Sequence, residues 1–197
     1  MKILAASDLH LNTDCRTAIL QQAPRADVVI IAGDFAQRRK GLDEFMPPFE
    51  AIADKAIFVP GNNETEEELR AATSAKVLHG DTTEWQGLTI AGIGCAIPPL
   101  PPLPWGSADM TEDEAETMLG RIAQADILIS HSPPYGHCDY HVGLGRHLGS
   151  VALETAIRRM NAKLVLCGHV HDSWGARSQI GASTIANVGP VPVFFEV

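Results

Sequence analysis

The chain is short of positive charge. Fifteen Lys and Arg stand against 24 Asp and Glu in 197 residues, a formal net charge of −9. That balance argues against a broad basic surface for nucleic acid. It leaves room for a small anionic substrate, because bound metal ions reverse the local sign inside a pocket. Cysteine is sparse too. Cys15, Cys95, Cys138 and Cys167 are scattered, with no C-x-x-C pair. Reduced thiols in a cytoplasmic protein are therefore expected rather than a disulfide framework. No apolar run is long enough to span a membrane. Met1-Lys2-Ile3-Leu4 leads straight into a strand, and Asp8 comes too early for a secretion signal, so none is expected. Neither a repeat nor a linker is evident, and 1–197 reads as one domain.

What the chain does have is a series of short apolar runs, each followed by a potential ligand. Lys2–Ala6 is followed by Asp8 and His10, Val28–Ala32 by Gly33-Asp34, and Ala56–Val59 by Pro60-Gly61-Asn62-Asn63. Ile127–Ile129 leads into Ser130-His131, and Lys163–Cys167 into Gly168-His169-Val170-His171. Runs this apolar read as buried parallel strands. Helices are expected between them at Thr13–Ala23, Leu42–Asp54, Glu64–Ala72, Thr111–Ala123 and Ser150–Met160. Thr111 and Glu114 have capping-box spacing.

Lys76–Leu78, Thr82–Trp85 and Leu88–Ala91 read as short strands between Gly and Asp turns, with antiparallel pairing expected. Pro98–Pro104 can be neither helix nor central strand. Pro133–Leu148 reads as a long polar loop, and the tail from Trp174 to Val197 as short strands. Alternation at both ends with antiparallel strands between suggests two mixed sheets face to face with helices outside, an α/β/β/α sandwich.

Ligands in such sheets bind beyond the carboxyl ends of the strands. Asp8, His10, Asp34, Asn62, His131, His169 and His171 all fall there. One zinc would use three or four of these donors; seven suit two ions sharing a ligand. A carboxylate bridges most naturally, and Asp34 is the best candidate. Oxygen and nitrogen donors without thiolate favour Mn²⁺, Fe or Zn²⁺. Each donor alone is a weak signal, since a Gly-Asp after a strand is a common turn. It is their shared placement that argues for a site. His79 reads as a plain loop residue, and His137, His141 and His147 as solvated loop residues.

In order, Asp8-Leu9-His10, Gly33-Asp34, Gly61-Asn62-Asn63-Glu64, Ser130-His131 and Gly168-His169-Val170-His171 resemble the calcineurin-like metallophosphoesterase family, whose pattern is D-x-H, G-D, G-N-H-[DE], a His after a strand, and G-H-x-H. Asn187-Val188-Gly189 resembles its N-x-G segment. Ser130–Gly136, with Asp139 and Gly149-Ser150, resembles a bacterial and archaeal branch. The resemblance implies one ion on Asp8, His10, Asp34 and His171 and a second on Asp34, Asn62, His131 and His169. It further implies that Asp34, Asn62, Asn63 and His169 serve catalysis, and that Asn63 and His169 contact substrate. Asn63 departs from the family, which usually has His there. An amide can donate to phosphate but cannot be a general acid near neutral pH.

The expected function is hydrolysis of a small phosphoester by a metal-bridging hydroxide, with a diester favoured over a monoester. The alternative is a non-catalytic interaction module that keeps the fold; Asn63 favours it and the intact donor set opposes it. The net charge, and a reading of the motifs as free of any Lys/Arg cluster, count against a nuclease.

Overall fold

The computed structural model describes residues 1–197. β1 (Lys2–Ala6) and β2 (Val28–Ala32) pair in parallel, Ile3 opposite Val28 and Ala6 opposite Ile31. β2 is buried at all five positions, as expected for a strand covered on both faces. Between them lies α1 (Thr13–Gln22), whose first amides are capped by the Asn12 side chain. It gives way to a turn of 3₁₀ helix at Ala23–Arg25, around Pro24.

The helix expected over Leu42–Asp54 is a single turn, α2 (Leu42–Phe45), followed by 3₁₀ helix over Pro47–Lys55. Pro47 and Pro48 lack the amides that an α-helix would need, which explains the difference. β3 (Ala56–Val59) follows, then α3 (Glu66–Ala72), capped by a reciprocal Thr65–Glu68 box. α3 starts two residues later than expected, because Glu64 turns inward to the site.

β4 (Lys76–Val77) departs from expectation: it pairs parallel with β3 at the edge of the first sheet. Only β5 (Asp81–Trp85) and β6 (Leu88–Ile93) form the antiparallel hairpin. α4 (Glu112–Gly120) carries the Thr111–Glu114 capping box. β7 (Ile127–Ser130) precedes the segment read as a loop, which contains a small hairpin of β8 (Tyr140–His141) and β9 (Arg146–His147). α5 (Val151–Met160), capped by Ser150, leads to β10 (Leu164–Cys167), and the tail supplies β11 (Arg177–Ile180), β12 (Ser183–Asn187) and β13 (Val193–Glu196).

The first sheet has the order β13-β1-β2-β3-β4 and the second β11-β12-β10-β7-β6-β5. Both are mixed, with parallel centres and antiparallel edges at β13, β11 and β5. Strand alternation divides the core into three. Ile3, Val28, Ile30, Ile57, Ile127, Ile129 and Leu166 face the opposite sheet. Leu4, Val29, Ile31 and Phe58 pack beneath α1 to α3 with Phe35 and Phe49. Leu128 and Val165 pack beneath α4 and α5 with Leu119, Leu153 and Ile157. Burying each such side chain contributes about 1.5–3 kcal/mol. The result is the expected four-layer α/β/β/α sandwich, and β1, β2, β3, β7 and β10 deliver their carboxyl ends to one edge.

Candidate metal centre

All seven predicted ligands meet at that edge. Asp34 lies at the centre: its Oδ2 is 3.6 Å from His10 Nε2 and 3.5 Å from His131 Nε2. Asp8, His10 and His171 bring ligand atoms within 4.8 Å of one another, and so do Asp8, Asp34 and His131. His10 Nε2 and His171 Nε2 stand 3.1 Å apart. That is the spacing of two ligands on one ion with metal–nitrogen bonds of about 2.0–2.1 Å. On the other side, Asn62 Oδ1 is 3.1 Å from His131 Nε2 and 3.2 Å from His169 Nδ1. Convergent imidazoles, carboxylates and an amide oxygen fit divalent ions, and Asp34 lies between the two groups.

The backbone is bent to bring these side chains together. Asp8, His10, Asp34 and His169 all have positive φ, from 43° to 66°. Such conformations are sparsely populated for non-glycine residues and cluster where function over-determines them. Gly61 admits the close approach of a neighbouring loop, since a Cβ there would run into Asp34 Oδ1.

Hydrogen bonds orient the donors. His131 Nδ1 donates to Ala32 O at 2.8 Å, which directs Nε2 inward. Asp34 Oδ1 accepts from the amides of Asn62 and Asn63. Asp8 is held by Ser7 Oγ at 2.6 Å, Trp174 Nε1 at 3.0 Å and the His169 amide at 2.9 Å. Ser7 and Trp174 were not singled out in the sequence, and only contact with Asp8 reveals them. Asn187 Nδ2 donates to the carbonyls of Gly168, Val170 and Cys138, fixing the loop that carries His169 and His171.

Glu64 stands in the sequence as the last residue of Gly61-Asn62-Asn63-Glu64 and the start of the expected helix, with no role assigned to it. Fully buried, it accepts from the amides of Asp34, Ala36 and Gly61. Burial, reinforced by the charge of Asp34, pushes its carboxyl up to about 7. Burial opposes the charges on both Asp34 and His131, yet each stabilises the other. The Asp34 carboxyl ends well below its usual range and His131 rises to about 9. His169 goes the other way, pushed down to about 3 by burial and then by His131.

Asn63 is 5% exposed and its side-chain amide is directed at Asp34 and the Arg38 amide. Two readings change. His79 is half-buried and accepts from the Gly94 amide at 2.9 Å, so it is a packing residue rather than a plain loop residue. Arg38-Arg39-Lys40 form a cationic turn against Asn63, so the motifs do have a basic cluster beside them. His137 bonds Ser178 Oγ, His141 pairs with Asp172, and His147 bonds the buried Asp139. None of these three joins the ligand groups. Pro98–Pro104 is largely exposed, and Ser107 beyond it accepts from Asn62 Nδ2.

A family model described as calcineurin-like phosphoesterase matches residues 1–173. The chain belongs to that family. It is a metal-dependent phosphoesterase, of a family that works with two metal ions on small phosphoesters. No curated protein sequence matches it. Among solved structures it is similar to the TT1561 protein of Thermus thermophilus, with 22% identity, TM-score 0.74 and coverage of 95% of this chain and 88% of that one. An archaeal phosphodiesterase shares 18% identity at TM-score 0.52, over 96% and 84% of the two chains. Escherichia coli YfcE, a phosphoesterase, shares 16% at TM-score 0.51, over 98% and 81%. At these identities the likeness is one of fold. No helix is long and apolar enough to cross a membrane.

Proposed function

We propose that this chain, acting as one domain, hydrolyses a small phosphodiester at a centre of two divalent ions. Asp8, His10, Asp34 and His171 would hold one ion, and Asp34, Asn62, His131 and His169 the other. The observation that carries this is Asp34, set between His10 and His131 and within reach of both groups. Two such ions, Mn²⁺, Fe or Zn²⁺, would supply a nucleophilic hydroxide at neutral pH and neutralise charge on phosphorus. The protein's own part is positional. Ala32 O sets the His131 tautomer, Ser7 and Trp174 fix Asp8, and Glu64 ties the loops after β2 and β3 together.

A diester is favoured because it carries less charge and the His171 side is open to solvent, with the side chain 49% exposed. No imidazole stands at position 63 to protonate a leaving group. Turnover should therefore depend steeply on leaving-group pKa, general acid help being worth roughly 10²–10⁴-fold. The test is a series of aryl and alkyl phosphodiesters and monoesters assayed with Mn²⁺ and after chelation. Mn²⁺-dependent hydrolysis that favours aryl diesters is expected. Two tightly bound ions with no hydrolysis of any ester would instead favour the non-catalytic module.

A further inference from the structure

Asn63 stands where the family usually has His, and its geometry gives it another task. Its Nδ2 donates to Asp34 Oδ2 at 2.8 Å and its backbone amide to Asp34 Oδ1 at 2.9 Å. Its Oδ1 accepts from the Arg38 amide at 2.7 Å, and its carbonyl from the Arg39 amide at 3.0 Å. One residue thus grips the Asp34 carboxylate on one side and two successive backbone amides on the other.

Those amides belong to an unusual turn. Gln37 and Lys40 exchange both backbone hydrogen bonds, each at 3.1 Å, and Arg38 and Arg39 between them have φ of 51° and 65°. Two left-handed residues in a two-residue hairpin loop make a type I′ turn, which ordinarily calls for Asn-Gly or Gly-Gly. Two arginines do not favour it, so something outside the turn must hold it. Asn63 supplies both outside bonds to its backbone. The Arg39 side chain adds a two-pronged contact with Glu68, at 3.0 and 2.5 Å, tying the turn to α3.

We propose that Asn63 is a positioning residue that locks the Asp34 carboxylate to the cationic turn Gln37–Lys40, and that it does not touch substrate. The inference rests on Asp34 being the shared metal ligand of the function proposed above. Asn63 orients the oxygen of Asp34 that faces His10 and His131. Through the same side chain it holds the Arg38 amide, and with it the turn that carries the exposed Arg38 and Lys40. The amide suits this because it donates and accepts from one rigid plane, which a carboxylate or an alkyl side chain cannot do.

The test uses the full chain and two readouts that do not need turnover. Mn²⁺ is titrated into metal-free protein by calorimetry, and the metal-free protein is digested briefly with trypsin, the first cuts being mapped by mass spectrometry. Trypsin needs an extended segment, so the clamped turn should resist. Asn63→Ala should weaken Mn²⁺ binding roughly 10–100-fold, the usual cost of losing a partner that orients a ligand. It should also expose early cleavage after Arg38, Arg39 or Lys40. With ester substrate, kcat should fall and rise again with added Mn²⁺ while KM moves little.

Unchanged Mn²⁺ affinity with an intact turn and a raised KM would overturn the proposal and make Asn63 a substrate contact. If Asn63→Ala does not fold, Asn63→Ser keeps a polar group in the buried position but is too short for both partners, and should give the same two changes. If the unsubstituted protein hydrolyses no ester, the proposed function fails while the titration and the digest still decide the clamp.

Discussion

The two ligand groups that share Asp34 are built differently. Asn62, His131 and His169 form the inner group: the His131 side chain is 0% exposed, its tautomer is set by a backbone carbonyl, and both imidazoles aim at one amide oxygen. Asp8, His10 and His171 form the outer group. There the His171 side chain is 49% exposed, its Nε2 is 3.9 Å from Asp8, and its ring leans on Trp174 at 4.3 Å. The inner group is made largely like a core, with His169 partly exposed, whereas the outer sets one buried ligand, Asp8, beside two imidazoles at a rim. Burial and fixed hydrogen bonds pre-organise ligands before an ion arrives, whereas exposed ones must be ordered by it. The outer ion should therefore be the first to exchange.

The comparison fails most completely at its shared member. Asp34→Asn should release both ions at once and reduce hydrolysis by more than the roughly 100-fold that loss of an outer hydrogen-bond partner costs. Metal analysis after gel filtration checks this. Two retained ions and near-normal turnover would remove Asp34 from the bridge. Next in size is the contrast between His131→Ala and His171→Ala. Both should bind a single ion. Only His131→Ala should also destabilise the fold, by about 1–3 kcal/mol, because the Ala32 carbonyl loses its buried donor. Denaturant melts of the metal-free variants measure the difference, and equal stability would contradict the account of the inner group.

A finer test is Trp174→Phe. It keeps a ring against His171 and removes the donor to Asp8 Oδ2. Affinity at the outer group alone should drop, roughly tenfold, seen as a wider separation of two steps in a chelator titration. The smallest effect lies outside both groups, at His79. Burial holds its pKa below the ordinary value. Its neutral form is thus favoured in the folded state, and its contribution to stability is lost as pH falls below about 6.5, the unfolded value. His79→Gln should reduce the loss of melting temperature between pH 8 and pH 5.

The sheets were legible because β2 and β10 are unbroken apolar runs, and the ligands because each follows such a run. Two failures are local: Pro47 and Pro48 break the expected helix, and the contiguous Arg38-Arg39-Lys40 was there to be read. The others share a cause: the deciding partner lies far away in the chain. Lys76–Val77 is too short for its pattern to say which sheet it joins. Glu64 looks like the acidic start of a helix until the amides of Asp34 and Ala36 are seen to converge on it. The turn at Arg38-Arg39 carries none of the residues that announce its type, because Asn63 does what glycine would otherwise do.

The tight fit at Gly61 bears on how such a protein can diverge. A methyl group there would collide with Asp34 Oδ1, and one at Gly33 would come within 2.6 Å of both the Gly61 Cα and His131 Nδ1. Gly168 is hemmed in the same way by Asp8 Oδ2 and Ser7 Oγ, each at 2.5 Å from where its Cβ would be. Each loop occupies space that another leaves vacant, so the loops can change only in concert. A layer of helices can accept a new side chain at one position; at this edge a methyl group added to one loop needs room made in another.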